Sequence, residues 1–89
     1  MTPIRVKITN AHTLEVVTDR VMNCGCSDFE TIEALHSATE AQNPDCFVNF
    51  SWGQSFICGQ PLNMRTDETA VAEGSMTWDD YSRKWYSLN

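Results

Sequence analysis

The stretch that most constrains this chain runs from Cys24-Gly25-Cys26 through Ser27-Asp28-Phe29-Glu30-Thr31-Ile32-Glu33-Ala34-Leu35-His36. It couples two closely spaced thiols to the start of a helix. Ser27 followed three residues later by Glu30 reads as a capping box, with the hydroxyl turned to the Glu30 backbone and the carboxylate reaching back to the Ser27 N–H. Asp28 and Glu30 also place negative charge where the helix dipole favours it. The helix is expected over about 27–42, because Asn43-Pro44 disfavours its continuation. Around the wheel Phe29, Ile32, Leu35, His36 and Thr39 share one face, while Glu30, Glu33, Ser37 and Glu40 form an acidic stripe beside it.

Strand signals bracket this helix. Ile4, Val6 and Ile8 alternate with Arg5 and Lys7 over 3–9, the period of a half-buried strand. Asn10-Ala11-His12 supplies turn chemistry, and a β-branched run begins at Thr13. Pairing Ile8 with Leu14 and Val6 with Val16 gives one apolar face, and the broken alternation after Val16 suggests a bulge near Val17–Thr18. After the helix, Cys46–Trp52 reads as a strand returning through Gly53-Gln54, a type II′ turn, into Ser55–Gly59. In that register Trp52 opposes Ser55, Phe50 opposes Ile57 and Asn49 opposes Cys58. Residues 60–69 read as a loop and Ala70-Val71-Ala72 as a short strand. For 75–88 there are two readings. Thr77 and Asp80 can cap a helix with Trp78, Tyr81 and Trp85 on one face. The β-propensity of Met76-Thr77-Trp78 and Trp85-Tyr86-Ser87 favours a hairpin instead.

The expected fold is therefore α+β over a single domain spanning 1–89. It has an antiparallel sheet of four to six strands with one helix, about 27–42, packed on one face. The expected core is Ile4, Val6, Ile8, Leu14, Val16, Phe29, Ile32, Leu35, Val48, Phe50 and Ile57. No apolar run approaches the ~20 residues of a membrane span. The first residues lack a signal peptide's apolar segment, which points to a cytoplasmic protein with reduced thiols.

Charge narrows the function. The net charge is −6, and residues 27–45 hold five acids (Asp28, Glu30, Glu33, Glu40, Asp45) with no Lys or Arg. Without a basic stripe, direct nucleic-acid binding is not expected. Cys24, Cys26, Cys46 and Cys58 do not have the paired C-x₂₋₄-C spacing of structural zinc, and the hairpin register puts Cys46 and Cys58 on opposite faces. Cys26, just before a helix N-terminus, suits a reactive thiol, yet the acids at 28 and 30 oppose that. His36 is flanked by Glu33 and Glu40 at helical spacing, but no nucleophile, phosphate loop or metalloprotease motif accompanies it. No catalytic residue, cofactor or metal is assigned, and the chain reads as non-enzymatic.

The reading that accounts for most of these features is a small acidic protein-binding module. Glu30, Glu33 and Glu40, with the aromatics Trp78, Tyr81 and Trp85, would dock on a basic surface of a partner protein. Such a module can inhibit a partner by occupying its nucleic-acid-binding surface, as small phage-encoded inhibitors of host defence do. The alternatives are a thiol-redox or zinc protein using Cys24 and Cys26, and a structural homo-oligomer, in its simplest form a homodimer.

Overall fold

A computed structural model describes residues 2–25 and 27–86. Strands β1 (Thr2–Asn10), β2 (Val16–Cys24), β3 (Cys46–Trp52) and β4 (Ser55–Gly59) form one antiparallel sheet in the order β2-β1-β3-β4. Helix α1 (Phe29–Gln42) lies over β3 and β4, and α2 (Leu62–Glu73) packs against α3 (Trp78–Tyr86). The α+β class is as expected, with three helices where the sequence suggested one.

The alternation in β1 does what its period implies. Ile4, Val6 and Ile8 are buried, and Arg5 and Lys7 face away from α1. Across the sheet Ile8 pairs with Val48 and Val6 with Phe50, and Ile32 of α1 seals this cluster. The β3–β4 register is the expected one, with Trp52 opposite Ser55, Phe50 opposite Ile57 and Asn49 opposite Cys58. Gly53 has φ +54° while Gln54 does not have positive φ, the pattern of a II′ turn.

The first hairpin differs from expectation. Ile8 pairs with Thr18 and Val6 with Arg20, a shift of four residues from the pairing with Leu14 and Val16. The turn is longer than Asn10-Ala11-His12 implies. The Asn10 side chain accepts from the His12 and Thr13 N–H groups, Leu14 adopts φ 60°, and pairing resumes where the Asn10 N–H donates to the Glu15 carbonyl. One further residue is absorbed by the expected bulge: Thr9 pairs with Val16 and Ile8 with Thr18, so Val17 has no opposite number. Leu14 and Val16 are consequently exposed rather than core.

Residues 62–86 contain no strand among those described. Helix α2 occupies the expected loop and the expected strand at 70–72, and α3 replaces the hairpin favoured for 75–88. Residues 87–88 of that hairpin lie outside the described residues. Helix α2 closes with Gly74 at φ 86°, its N–H donating to the Val71 carbonyl while the Ser75 N–H donates to the Ala70 carbonyl. That pair of bonds is the Schellman closure, which needs a left-handed residue. The Asp80 N–H donates to Thr77 Oγ1, capping α3 as the helical reading anticipated. Asp79 and Asp80 in the first turn and Arg83 and Lys84 in the last complement the helix dipole. A second apolar cluster of Ala11, Met64, Tyr81 and Trp85, flanked by Phe47, Val71 and Met76, joins the two helices to the sheet end where β1 closes.

Candidate partner-binding surface

Helix α1 begins one residue later than the capping box implies. Asp28, not Ser27, caps it: its carboxylate accepts from the Thr31 N–H at 2.9 Å and from the Thr31 hydroxyl at 2.6 Å. These bonds hold the Asp28 carboxyl below the usual range. The helix turns Ile32, His36 and Glu40 toward the sheet, a single i, i+4, i+8 line. Phe29 and Leu35, expected in the core, lie at its margins and stay exposed, Phe29 with its ring centroid 6.0 Å from that of Trp52.

Three of the six residues anticipated to meet a partner are thereby withdrawn from the surface. Glu40 is only 4% exposed and receives the Arg65 guanidinium of α2 at 2.5 Å, with His36 Nδ1 at 3.4 Å. His36 is equally buried, and its Nε2–H donates to the Val48 carbonyl at 2.6 Å. A buried carboxylate is tolerated when paired and hydrogen-bonded, and Arg65 supplies that pairing from a distant helix. The group fits only because residue 59 is glycine. A Cβ there would stand within 3 Å of the His36 ring and the Glu40 carboxylate. Val48–His36–Glu40–Arg65 is thus a polar lock joining β3, α1 and α2 beneath β4.

Tyr81 and Trp85 are the other two, at 1% and 4% exposure. Tyr81 donates its hydroxyl to Glu68 at 2.9 Å, and burial followed by that carboxylate pushes its phenol well above the usual range. Trp85 donates its indole N–H to Asp67 at 2.9 Å, and Asp67 also binds Lys84 at 2.7 Å. The Lys84 hydrogen bond, ahead of that from Trp85, holds the Asp67 carboxyl below the ordinary range. The His12 ring stacks on Trp85 with centroids 5.1 Å apart. These aromatics fasten α3 to α2 and to the first turn.

Glu30, Glu33 and Trp78 remain exposed. The outer side of α1 presents Glu30, Glu33, Ala34, Ser37, Ala38 and Ala41. Two acids therefore stand on a low-relief surface bordered by Phe29 and Leu35, and the helix contains no Lys or Arg. Trp78, stacked on Tyr81 at 5.3 Å, is on α3 with Asp79, Asp80 and Tyr86. Asp79, Ser82, Arg83 and Tyr86 of the same helix line a shallow depression. The anticipated composite of acids and aromatics thus divides into an acidic α1 face and an aromatic α3 face.

The thiols are dispersed. Cys46 is buried on the helix-covered face, where burial raises its pKa, and Cys58 is exposed on the opposite face. Cys24 is half-buried at the end of β2, and the Cys24/Cys26 pair involves Cys26, which lies outside the described residues. Among the described residues no group of three or more His, Cys, Asp or Glu is arranged to hold a metal, and no helix is long and apolar enough to cross a membrane. Comparison of the chain with family models, with curated proteins and with solved structures finds no match.

Proposed function

We propose that the chain is a small acidic, non-enzymatic protein-binding module that docks the outer face of α1 on a basic surface of a partner protein. The observation that carries this reading is the composition of that face. Glu30 and Glu33 stand without a basic neighbour in the helix, over three exposed alanines and between exposed Phe29 and Leu35. Acids in such a setting orient an encounter by charge, and the apolar margins supply area that desolvates on contact. A partner surface that is basic for nucleic acid would be blocked by this docking, which makes the module an inhibitor.

The test is affinity capture of the tagged chain from a bacterial lysate, with wild type beside Glu30→Lys/Glu33→Lys. Both substitutions are on exposed positions, so the fold should be unchanged. A stoichiometric protein held at low salt, released as salt rises and absent from the variant capture is the expected result. A protein retained equally by the variant would remove the α1 face from the account.

A further inference from the structure

The two outer strands of the sheet are unequal. Strand β4 has five residues and ends at buried Gly59 beneath α1, whereas β2 has nine, Val16–Cys24. Among the described residues no strand lies beyond β2, so alternate backbone N–H and C=O groups along it point out of the sheet. The strand contains no Pro or Gly, the residues that interrupt such an edge. Exposed apolar side chains also collect there: Val16, Val17 and Val21, with Leu14 just before them, are 49–65% exposed. A long edge that is regular from Thr18 to Cys24 and carries exposed valines is a template for another strand.

Geometry restricts how a second copy can use it. Two sheets joined antiparallel by the same edge are related by a two-fold axis perpendicular to the sheet. Both copies then keep their helix-covered faces on one side, and the axis runs midway between one residue of β2 and the same residue of the second copy. An axis at Asp19 sets two carboxylates directly against each other, and one at Arg20 sets two guanidiniums together, an unfavourable cross-strand arrangement in each case. Both also draw the Val17 bulge into the ladder. An axis at Val21 does neither.

With the axis at Val21 the regular segment 18–24 pairs along its whole length. Val21, 65% exposed in the single chain, meets Val21 of the second copy. On the same face the Asp19 carboxylate stands opposite the amide of Asn23 of the second copy, and the reverse pair repeats it. Asp19 is held in position by Arg5, which binds it through two nitrogens at 2.9 and 3.0 Å. On the helix side Arg20 stands opposite Met22, which can cover its aliphatic stem. We propose that β2 pairs with β2 of a second copy in this register, giving a continuous eight-stranded sheet. The pairing leaves the outer face of α1 free, since α1 lies over β3 and β4 at the other side of the sheet.

The experiment is sedimentation equilibrium over a concentration series for wild type, Val21→Lys and Asn23→Asp, each checked for folding by circular dichroism. The wild type should reach twice the 10.1 kDa chain mass. Val21→Lys puts two ammonium groups on the axis and should remain a folded monomer. Asn23→Asp puts a carboxylate opposite Asp19 and should raise the dissociation constant roughly tenfold, less at high salt. If Val21→Lys does not fold, Asn23→Asp still decides. A wild type that stays monomeric throughout overturns the proposal and leaves the edge to a strand from another protein. A dimer unmoved by the folded variants overturns it too, because another surface would then hold the copies together.

Discussion

Glu40 shows how one side chain changes role between sequence and structure. On the helical wheel it extends an acidic stripe, but in the fold it is buried and bonded to Arg65, 25 positions along the chain. Nothing local announces this. The space comes from Gly59 on β4 and the countercharge from α2. Gly59→Ala should therefore displace His36 or Glu40. The expected cost, read by urea denaturation, is about 1–3 kcal/mol, typical of overpacking a closed site. Because φ at Gly59 is not in the left-handed region, the loss would reflect the crowded side chains and not the backbone. Ala at 59 with undiminished stability would mean that the polar lock is not tightly closed.

At the scale of elements, regular local patterns were legible and long-range compensation was not. The alternation of β1, the II′ turn at Gly53 and the stop at Asn43-Pro44 each specify their geometry within a few residues, and each is present. Helix α2 was hidden because its apolar stripe is narrow: Met64 is buried and Val71 packs beside it. Flanking that stripe, Arg65, Asp67 and Glu68 bond to Glu40, Trp85 and Tyr81, contacts that no local pattern announces. Pro61 before its first residue and Gly74 after its last were a readable start and stop. For α3 the Thr77 cap and the i, i+4 pair Tyr81–Trp85 prevailed over the β-propensity of its aromatics. The candidate surface was legible in part: Glu30, Glu33 and Trp78 are exposed, whereas Glu40, Tyr81 and Trp85 are buried against partners far along the chain.

The contact of α2 with α3 has an acid-sensitive part. Asp67 is held below the ordinary carboxyl range by Lys84 and Trp85, so its contribution is complete above the unfolded value near pH 4. It is lost as pH falls through the lowered native value. Asp67→Asn should lower the melting temperature near neutrality and flatten its decline between about pH 4 and pH 2. The decline would not vanish, because Asp19 and Asp28 are depressed in the same direction by Arg5 and Thr31. An acid limb identical to wild type would remove Asp67 from the linkage.

The whole molecule is elongated, 45 × 27 × 22 Å, with a radius of gyration of 14.8 Å. A compact chain of this length would have about 12 Å. Its interior is correspondingly split between the sheet–α1 cluster and the α2–α3 cluster. Small divided cores leave each part dependent on a few large side chains. Trp85 belongs to the second cluster, stacks on His12 and binds Asp67, so Trp85→Ala should cost about 3–5 kcal/mol. Hydrogen exchange should then rise first in α2 and α3, with β1 and β3 still protected. Uniform loss of protection would show that the two clusters unfold as one.

The proposal that the α1 face docks on a protein through Glu30 and Glu33 is decided by the affinity of the captured partner across a salt series, for wild type and Glu30→Lys/Glu33→Lys. Wild-type affinity should fall as salt rises, and the variant should bind roughly tenfold or more weakly at low salt with a flatter salt dependence. Equal affinity and equal salt slope in the two proteins would contradict the claim.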